Sequence, residues 1–270
     1  MSEIVRLGKF TTYGVGGESK VDILDSPTKL YLLDKNPLVI GRGANLLIAD
    51  SGVECAVINR LVGVENTDDG FIARSGQSLT SLVSLAQSRS LGGLEWACGI
   101  PASVGGAIIS NAGAFGREIA DIVEWVEVYE NGSITRLGRN EIDFSYRNSA
   151  IDGFVTRAKL KLYGKDRKQI ELDTAKYRDY RIKTQPKGKS AGSVFKRVNG
   201  VSAGYYIEKV GLKGRRVGGA KISEKHANFI LNDKEAKASD IYELIVLIEN
   251  TVEKRFGIKL EREIKLYGEF

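Results

Sequence analysis

A glycine-rich segment from Gly99 to Glu118 has the residue types best suited to holding a ligand. It contains five glycines and carries no charge until Arg117. Backbone without side-chain bulk can present its N–H groups directly to an anion, so the segment favours contact with a large phosphate-bearing cofactor. Close packing of glycines between two sheets explains the same composition equally well. The segment alone leaves both interpretations open.

A second glycine loop, Gly41–Leu46, joins two short apolar runs at 38–40 and 46–48. The loop is similar to a dinucleotide fingerprint, but Leu46 occupies the third glycine position and a strand follows where a helix is required. No G-x-x-x-x-G-K-[ST] motif occurs in the chain. A glycine turn between strands can still present N–H groups to a pyrophosphate. The alternative is an ordinary hairpin bend.

Composition excludes several kinds of catalytic site. The chain has one histidine, His226, so a multi-histidine metal site is excluded, and a serine-hydrolase triad would depend on that one residue. The two cysteines, Cys55 and Cys98, form no C-x-x-C motif, which favours a reducing, cytoplasmic setting. We expect no metal, no signal peptide and no membrane-spanning segment.

The basic charge is compatible with two kinds of partner. The net charge is +6, and the densest basic region, Lys176–Arg197, is interrupted by glycines, serines and a proline. This pattern predicts a loop that binds a small polyanion such as a nucleotide. A nucleic acid is the alternative partner for the same charge.

Apolar spacing predicts a mixed α+β fold with a domain boundary near residues 163–167. Strands are predicted at 56–59, 71–75, 122–129, 133–137 and 154–162. One helix has its apolar stripe at Leu79, Leu82, Val83 and Ala86, with Gly92 as its C-terminal cap. A second has Tyr205, Tyr206 and Val210 on its stripe and closes at Gly211.

The chain's last elements are predicted to be a long helix and a strand. The helix carries Ile241, Leu244, Ile245, Ile248 and Val252 on its buried face and ends at Gly257, with Asp240 and Glu243 as a capping box. Residues 258–266 alternate strictly between apolar and polar. This alternation predicts a strand whose polar face carries Glu261 and Glu263.

Three further motifs make a family resemblance specific: Phe144–Ser149, Ser190–Lys196 and Leu260–Ile264. In this order behind the two glycine segments, they closely resemble the UDP-N-acetylenolpyruvoylglucosamine reductases, flavoenzymes of peptidoglycan synthesis, from Thr12 to Leu266. The resemblance implies an α+β fold with an FAD-binding region of the vanillyl-alcohol-oxidase (PCMH) type at 1–164, divided into two α+β subdomains near residue 60. A smaller α+β substrate-binding domain would follow at 165–270.

The resemblance also implies site residues. The FAD contacts would be Gly41, Arg42, Gly43, Ala44, Asn45, Leu46, Ser103, Gly105, Gly106, Asn111, Gly113 and Ala114. The catalytic residues would be Arg147, Ser193 and Glu263. Lys213 would contact the substrate phosphates, and His226 and Lys183 would be further substrate contacts.

The implied reaction reduces the enolpyruvyl group of UDP-N-acetylglucosamine enolpyruvate and yields UDP-N-acetylmuramate. NADPH would give a hydride to tightly bound FAD, and flavin N5 would pass it to the vinyl carbon. Arg147 would stabilise the enolate and Ser193 would protonate it on carbon. Glu263 would orient the substrate carboxylate, or hold a water or Arg147. We expect a monomer that binds a nucleotide sugar, and neither nucleic acid nor a membrane.

Only 45 residues lie between Arg147 and Ser193. This short spacing resembles the form of the family that lacks an inserted loop whose tyrosine covers the substrate. Three alternatives stay open on sequence alone: a flavin oxidase or dehydrogenase of the same fold, a basic nucleic-acid-binding protein, and a protein without catalytic activity.

Overall fold

The computed structural model of the protein describes residues 3–270, which fold into a mixture of short strands and five α-helices. The helices are α1 (Leu79–Ser88), α2 (Val104–Ile109), α3 (Arg167–Thr184), α4 (Ala203–Lys209) and α5 (Ala238–Phe256). The strands are β1 (Glu3–Arg6), β2 (Glu18–Leu24), β3 (Leu38–Ile40), β4 (Leu46–Ile48), β5 (Cys55–Asn59), β6 (Val64–Thr67), β7 (Gly70–Arg74), β8 (Leu91–Gly92), β9 (Gly113–Ala114), β10 (Arg117–Glu118), β11 (Val123–Glu130), β12 (Ser133–Gly138), β13 (Phe154–Lys161), β14 (Tyr163–Gly164), β15 (Arg216–Val217), β16 (Ala220–Ile222), β17 (Ile230–Asn232) and β18 (Lys265–Tyr267). The predicted α+β fold class is confirmed.

The chain divides into two compact units that each take up several segments. The terminal unit consists of the residues up to Val21, Gly43–Cys55 and Ile182–Phe270, and the central unit consists of Asp22–Arg42 and Ala56–Arg181. Among the residues that the structure describes, no helix is both long and apolar enough to cross a lipid bilayer.

The central unit is built on a five-stranded antiparallel sheet with the strand order β12-β11-β13-β7-β6. Its core includes Leu79, Leu82, Val83 and Ala86 on one face of α1, as their spacing predicts. Gly92 is not the cap of that helix, because α1 ends at Ser88 and Gly92 pairs in β8 with β14. The left-handed residue after the helix is Ser90, with φ of 56°.

The terminal unit packs α5 against the small antiparallel sheet β15-β16-β17. The predicted stripe of α5 is confirmed: Ile241, Leu244, Ile245, Ile248 and Val252 are all buried. The helix ends at Gly257, which is left-handed as predicted (φ 68°).

The predicted start of α5 is wrong, because Asp240 is already inside the helix. The side chain of Asp240 accepts a hydrogen bond from the backbone N–H of Lys237. Asp50 caps the first turn from another part of the terminal unit by accepting from the N–H groups of Ala238 and Ser239 at 2.8 and 3.0 Å.

Three other local predictions also need correction. The loop Gly41–Leu46 is not a hairpin bend, because β3 pairs in parallel with β5 whereas β4 pairs in parallel with β18. Residues 258–264 are not a continuous strand: Arg262 makes an isolated bridge to Phe195, and β18 begins at Lys265. The basic region Lys176–Arg197 is not wholly a loop, since α3 continues to Thr184.

Candidate functional site

The central unit brings together residues from both predicted cofactor-binding segments. Gly41 and Ser103 lie so close that a Cβ added at Gly41 would stand 2.4 Å from the Ser103 hydroxyl oxygen. That hydroxyl caps α2 by accepting from the N–H of Gly106 at 3.3 Å. Only glycine at position 41 therefore allows this approach, and a side chain there would disturb the start of α2.

The same region has the features of a cradle for an anion. Gly106 is exposed on α2, and a Cβ added there would meet only the Ser103 hydroxyl within 4 Å. The backbone N–H groups of Gly41 and Arg42, also in the central unit, have no protein acceptor among residues 3–270. Uncommitted N–H groups in a glycine loop suit the oxygens of a pyrophosphate.

Other glycines of the Gly99–Glu118 segment serve protein packing. A Cβ on Gly105 would meet the Cβ of Ser75 at 2.8 Å, and one on Gly113 would meet the carbonyl oxygen of Arg117 at 2.6 Å. The N–H of Gly105 donates to the Ser75 carbonyl at 2.8 Å. The packing interpretation is therefore correct for Gly105 and Gly113, whereas Gly106 faces outward and is open to a ligand.

Asn111 links this segment to the turn that carries Arg147. Its side chain is fully buried (0% exposed) and donates to the Ser145 carbonyl oxygen at 2.9 Å. Its side-chain oxygen accepts from the N–H of Ala120 at 3.3 Å. Both functions of the amide are thus satisfied by the protein, so Asn111 holds the turn in place from inside the central unit.

Arg147 lies half-buried in the turn between Ser145 and Asn148, whose backbones bond to each other in both directions. Its guanidinium donates to the Gly113 carbonyl oxygen at 2.9 Å and stands 5.1 Å from the centre of the Tyr146 ring. The φ of Arg147 is 61°, a left-handed conformation that costs a residue with a Cβ roughly 1–2 kcal/mol. Strain at an arginine held this firmly marks it as a functional candidate.

In the terminal unit, Ser193 lies half-buried in an irregular segment with buried neighbours. Val194 and Phe195 are each 1% exposed, and Gly192 before Ser193 has φ of 75°. The N–H of Glu263 donates to the Val194 carbonyl oxygen at 2.7 Å. Ser193 and Glu263 are therefore held in one register through Val194.

Asn45, predicted to contact the cofactor, is tied to Glu263. Its side-chain N–H donates to the Glu263 carbonyl oxygen at 3.1 Å, and its own carbonyl accepts from the N–H of Lys265 at 2.9 Å. Glu263 is half-buried, whereas Glu261 is exposed and pairs with Lys196 at 2.5 Å. The two glutamates therefore have different environments, although alternation predicts one shared face.

His226 and Lys213 are close enough to interact electrostatically. Burial lowers the pKa of His226, and the charge of Lys213 lowers it further, whereas Glu208 opposes this effect. Lys213 also pairs with Glu208 at 2.8 Å. Lys183 is exposed near the end of α3, and its neighbour Ile182 accepts a hydrogen bond from the Lys225 ammonium group at 2.5 Å.

Asn228 is a buried residue of this region that the sequence reasoning missed. It is 3% exposed and contacts Val194 and Phe195, the residues that follow Ser193. The signal in the sequence is weak: an asparagine inside the apolar run 227–230. No cluster of three or more His, Cys, Asp or Glu residues that could hold a metal is found within 3–270.

Comparison with known proteins places these segments in two family models. Residues 34–138 match an FAD binding domain, and residues 185–267 match the C-terminal domain of UDP-N-acetylenolpyruvoylglucosamine reductase. The chain is thus an FAD-binding protein. The Gly41–Ser103 cradle, with its outward-facing glycine and uncommitted N–H groups, fits the pyrophosphate of such a cofactor.

Similar proteins cover nearly the whole chain. A UDP-N-acetylenolpyruvoylglucosamine reductase from Thermosipho melanesiensis is 40% identical over 268 residues, covering 95% of this chain and 92% of the relative. One from Synechococcus sp. is 43% identical over 241 residues, covering 86% of this chain and 77% of the relative. The crystal structure of UDP-N-acetylenolpyruvylglucosamine reductase from Thermus caldophilus superposes with a TM-score of 0.89, at 38% identity and 99% coverage of both chains. The chain belongs to the UDP-N-acetylenolpyruvoylglucosamine reductase family.

Proposed function

We propose that this protein is the NADPH-dependent flavoenzyme that reduces UDP-N-acetylglucosamine enolpyruvate to UDP-N-acetylmuramate in the cytoplasm, for peptidoglycan synthesis. Beyond family membership, one observation carries the proposal. Val194 directly follows Ser193, and its carbonyl oxygen accepts a 2.7 Å hydrogen bond from the Glu263 N–H. A proton donor and a carboxylate in one fixed register suit a reaction in which a carboxylated enolate must be protonated. Bound FAD supplies the redox chemistry of hydride acceptance and donation.

The FAD contacts in this proposal come from the two glycine segments. Gly41, Arg42, Gly43, Ala44, Asn45 and Leu46 form one group, and Ser103, Gly105, Gly106, Asn111, Gly113 and Ala114 form the other. Gly106 and the loop N–H groups would contact the cofactor directly. The buried Asn111 and Gly105, together with Gly113, which packs against Arg117, would shape the backbone around it.

Arg147 would stabilise the charge that develops on the substrate. Hydride addition to the vinyl carbon leaves negative charge on the adjacent carbon and its carboxylate, and a fixed cation lowers the energy of that enolate more than that of the ground state. An arginine is permanently charged and grips a carboxylate through two N–H groups. The restrained Arg147 turn supports this role.

Ser193 would then protonate the enolate on carbon. An enolate carbon is basic enough for a neutral hydroxyl to serve as its general acid. Glu263 would orient the substrate or a water, Lys213 would contact the substrate phosphates, and His226 and Lys183 would be further substrate contacts. Burial and the nearby charge of Lys213 both lower the pKa of His226, and this proximity supports placing the two residues in one subsite.

The same proposal assigns 1–164 to FAD binding and 165–270 to substrate binding. The ranges of the two family models, 34–138 and 185–267, fall within these segments. The protein would act as a monomer of the short form that lacks the tyrosine loop.

The test is Ser193→Ala, with Ser190→Ala in the same segment as the matched control. Removing such a donor typically slows a reaction about 100- to 1000-fold. We expect Ser193→Ala to keep the flavin spectrum and its reduction by NADPH, while flavin reoxidation by the enolpyruvyl substrate slows by this factor. Ser190→Ala should reoxidise normally. Unchanged reoxidation in Ser193→Ala would contradict the role, and oxygen consumption with alcohols without NADPH would favour a flavin oxidase.

A further inference from the structure

Asn228 makes an unusually complete set of contacts with the segment that carries Ser193. Its backbone carbonyl accepts from the N–H of Val194 at 2.9 Å. Its side-chain oxygen accepts from the N–H of Phe195 at 3.0 Å, and its side-chain N–H donates to the Phe195 carbonyl at 2.8 Å. One buried asparagine therefore pairs with two consecutive residues in the manner of a strand partner.

These contacts matter for Ser193 because the residue before it, Gly192, has no side chain that could pack against the protein. Gly192 is left-handed, with φ of 75°, and a Cβ added there would meet nothing within 4 Å. A glycine with open space around it gives the chain rotational freedom. Gly192 itself therefore adds no packing restraint next to Ser193, whereas Val194 on the other side is hydrogen-bonded at both its N–H and its carbonyl.

The second restraint on Val194 is the Glu263 N–H on its carbonyl oxygen. Val194 thus has its N–H held by Asn228 and its C=O held by Glu263. Loss of the Asn228 side chain would leave Val194 bonded to the backbone carbonyl of residue 228 and to the Glu263 N–H, but would free both backbone polar groups of Phe195. Because Phe195 is 1% exposed, water cannot readily replace those bonds.

We propose that Asn228 is a positioning residue for Ser193: its three hydrogen bonds to Val194 and Phe195 hold the hydroxyl where the enolate carbon is protonated. This inference rests on the proposed function. Asn228 itself need not touch substrate or cofactor. A residue that orients a catalytic group in this way typically affects activity about 10- to 100-fold when removed.

The main experiment is a double-mutant cycle of Asn228→Ala and Ser193→Ala in the FAD-loaded enzyme. In the otherwise unchanged protein, Asn228→Ala should slow reoxidation of the reduced flavin by the enolpyruvyl substrate roughly 10- to 100-fold. Flavin reduction by NADPH should be unchanged, and the loss should fall on kcat more than on KM. In the Ser193→Ala background the same substitution should have under about 2-fold further effect, because residues that act as a unit are not additive.

Asn232→Ala is the matched control. Asn232 is also in the terminal unit, and both functions of its side-chain amide are hydrogen-bonded. The N–H donates to the Tyr13 carbonyl at 2.9 Å, and the oxygen accepts from the N–H of Ala236 at 2.8 Å. It makes no contact with Val194 or Phe195 among the bonds of residues 3–270. Asn232→Ala should therefore lower stability without slowing reoxidation.

A structural readout separates positioning from activity. Hydrogen exchange of the Phe195 amide, which donates to the Asn228 side chain, should be at least about 10-fold faster in Asn228→Ala and unchanged in Asn232→Ala. If Asn228→Ala does not fold, the cycle is made with Asn228→Gln, which keeps both amide functions on a side chain that is one methylene group longer. Its slowing should be smaller in the same direction.

The outcomes separate this inference from the proposed function. Equal slowing by Asn228→Ala with and without Ser193, or equal slowing by Asn232→Ala, would overturn the positioning role. Normal reoxidation in Ser193→Ala would instead overturn the assignment of Ser193.

Discussion

The two segments that carry the candidate catalytic residues are restrained in different ways. In the central unit, Arg147 is itself left-handed, and its turn is held by side chains: Asn111 on Ser145, and Ser149 on the Ile109 carbonyl at 3.2 Å. In the terminal unit, Ser193 has ordinary backbone, since the left-handed residue is its neighbour Gly192. There the restraint comes from backbone partners of Val194 and from the Asn228 side chain on Phe195.

This contrast follows from what each side chain must do. A long arginine needs its backbone fixed, because small changes at the turn are amplified at the guanidinium. A serine hydroxyl stands close to the main chain, so a paired backbone positions it directly. The Arg147 turn therefore depends on several side chains, whereas the Ser193 segment depends on backbone bonds and on the one side chain of Asn228.

The largest effect should come from Arg147→Lys. A lysine ammonium keeps the charge but loses the two-pronged grip on a carboxylate. We expect reduction of the enolpyruvyl substrate to fall roughly 100-fold or more while flavin reduction by NADPH is kept. Stopped-flow absorbance of the flavin measures both steps. Arg136→Lys, on the exposed face of the central sheet and paired with Glu127 at 2.7 Å, is the control and should be active.

Asn111→Gly should have the next largest effect and tests whether the Arg147 turn depends on side chains. Glycine accepts the φ of 40° at this position, so the variant removes the amide without adding backbone strain. Leaving the Ser145 carbonyl and the buried Ala120 N–H unpaired should lower the free energy of unfolding by about 2–3 kcal/mol and slow substrate reduction. Urea unfolding and steady-state kinetics check both expectations.

Asn131→Gly is the matched control for that variant. Asn131 is also left-handed, with φ of 48°, but lies exposed in the turn between β11 and β12. It should change stability by only a few tenths of a kcal/mol in either direction. Similar losses in both variants would show that backbone conformation, and not the Asn111 amide, maintains the turn.

The smallest effect should come from His226. Its ring Nδ1 accepts a hydrogen bond from the backbone N–H of Asn228 at 3.3 Å. Burial lowers the pKa of His226, so the folded protein resists a proton that the unfolded chain binds near pH 6.5. The free energy of unfolding should therefore fall as the pH drops below this value, by at most about 1.4 kcal/mol per pH unit. His226→Gln should flatten this dependence between pH 5 and 6.5.

Proton NMR gives a direct check, because His226 is the one histidine of the chain. Its titration midpoint should lie below 6.5, and a midpoint above that value would contradict the effect of burial. Lys213 and Glu208 are the charged groups that act on the ring, so Lys213→Gln should raise the midpoint.

Local patterns predicted the long elements well and the pairings poorly. The stripe of α5 and its stop at Gly257 are set by residues within the helix, and both are confirmed. Helix α3 was not predicted, because only Ile170 and Thr174 of its residues are buried and no apolar stripe forms. The separate partners of β3 and β4 depend on distant segments that local spacing does not encode.

The candidate site shows the same limit. The motifs around Arg147 and Ser193 are visible in the sequence, and their resemblance to a family identifies them. The groups that hold them are not visible in this way: Asn111 was predicted to contact the cofactor, yet its amide is buried and bonded within the protein. Asn228 lies in no recognised motif. Its partners Val194 and Phe195 are distant in sequence, and only the fold brings them next to it.

The parallel pairing of β4 with β18 bears on the order in which the molecule is assembled during translation. Leu46–Ile48 leave the ribosome early, but Lys265–Tyr267 are made only after the whole central unit. We expect the Ala56–Arg181 portion to gain protection from proteases on stalled nascent chains first. The early β4 strand would stay without its neighbour until residues 265–267 are made, and we expect chaperones to bind it in the interval.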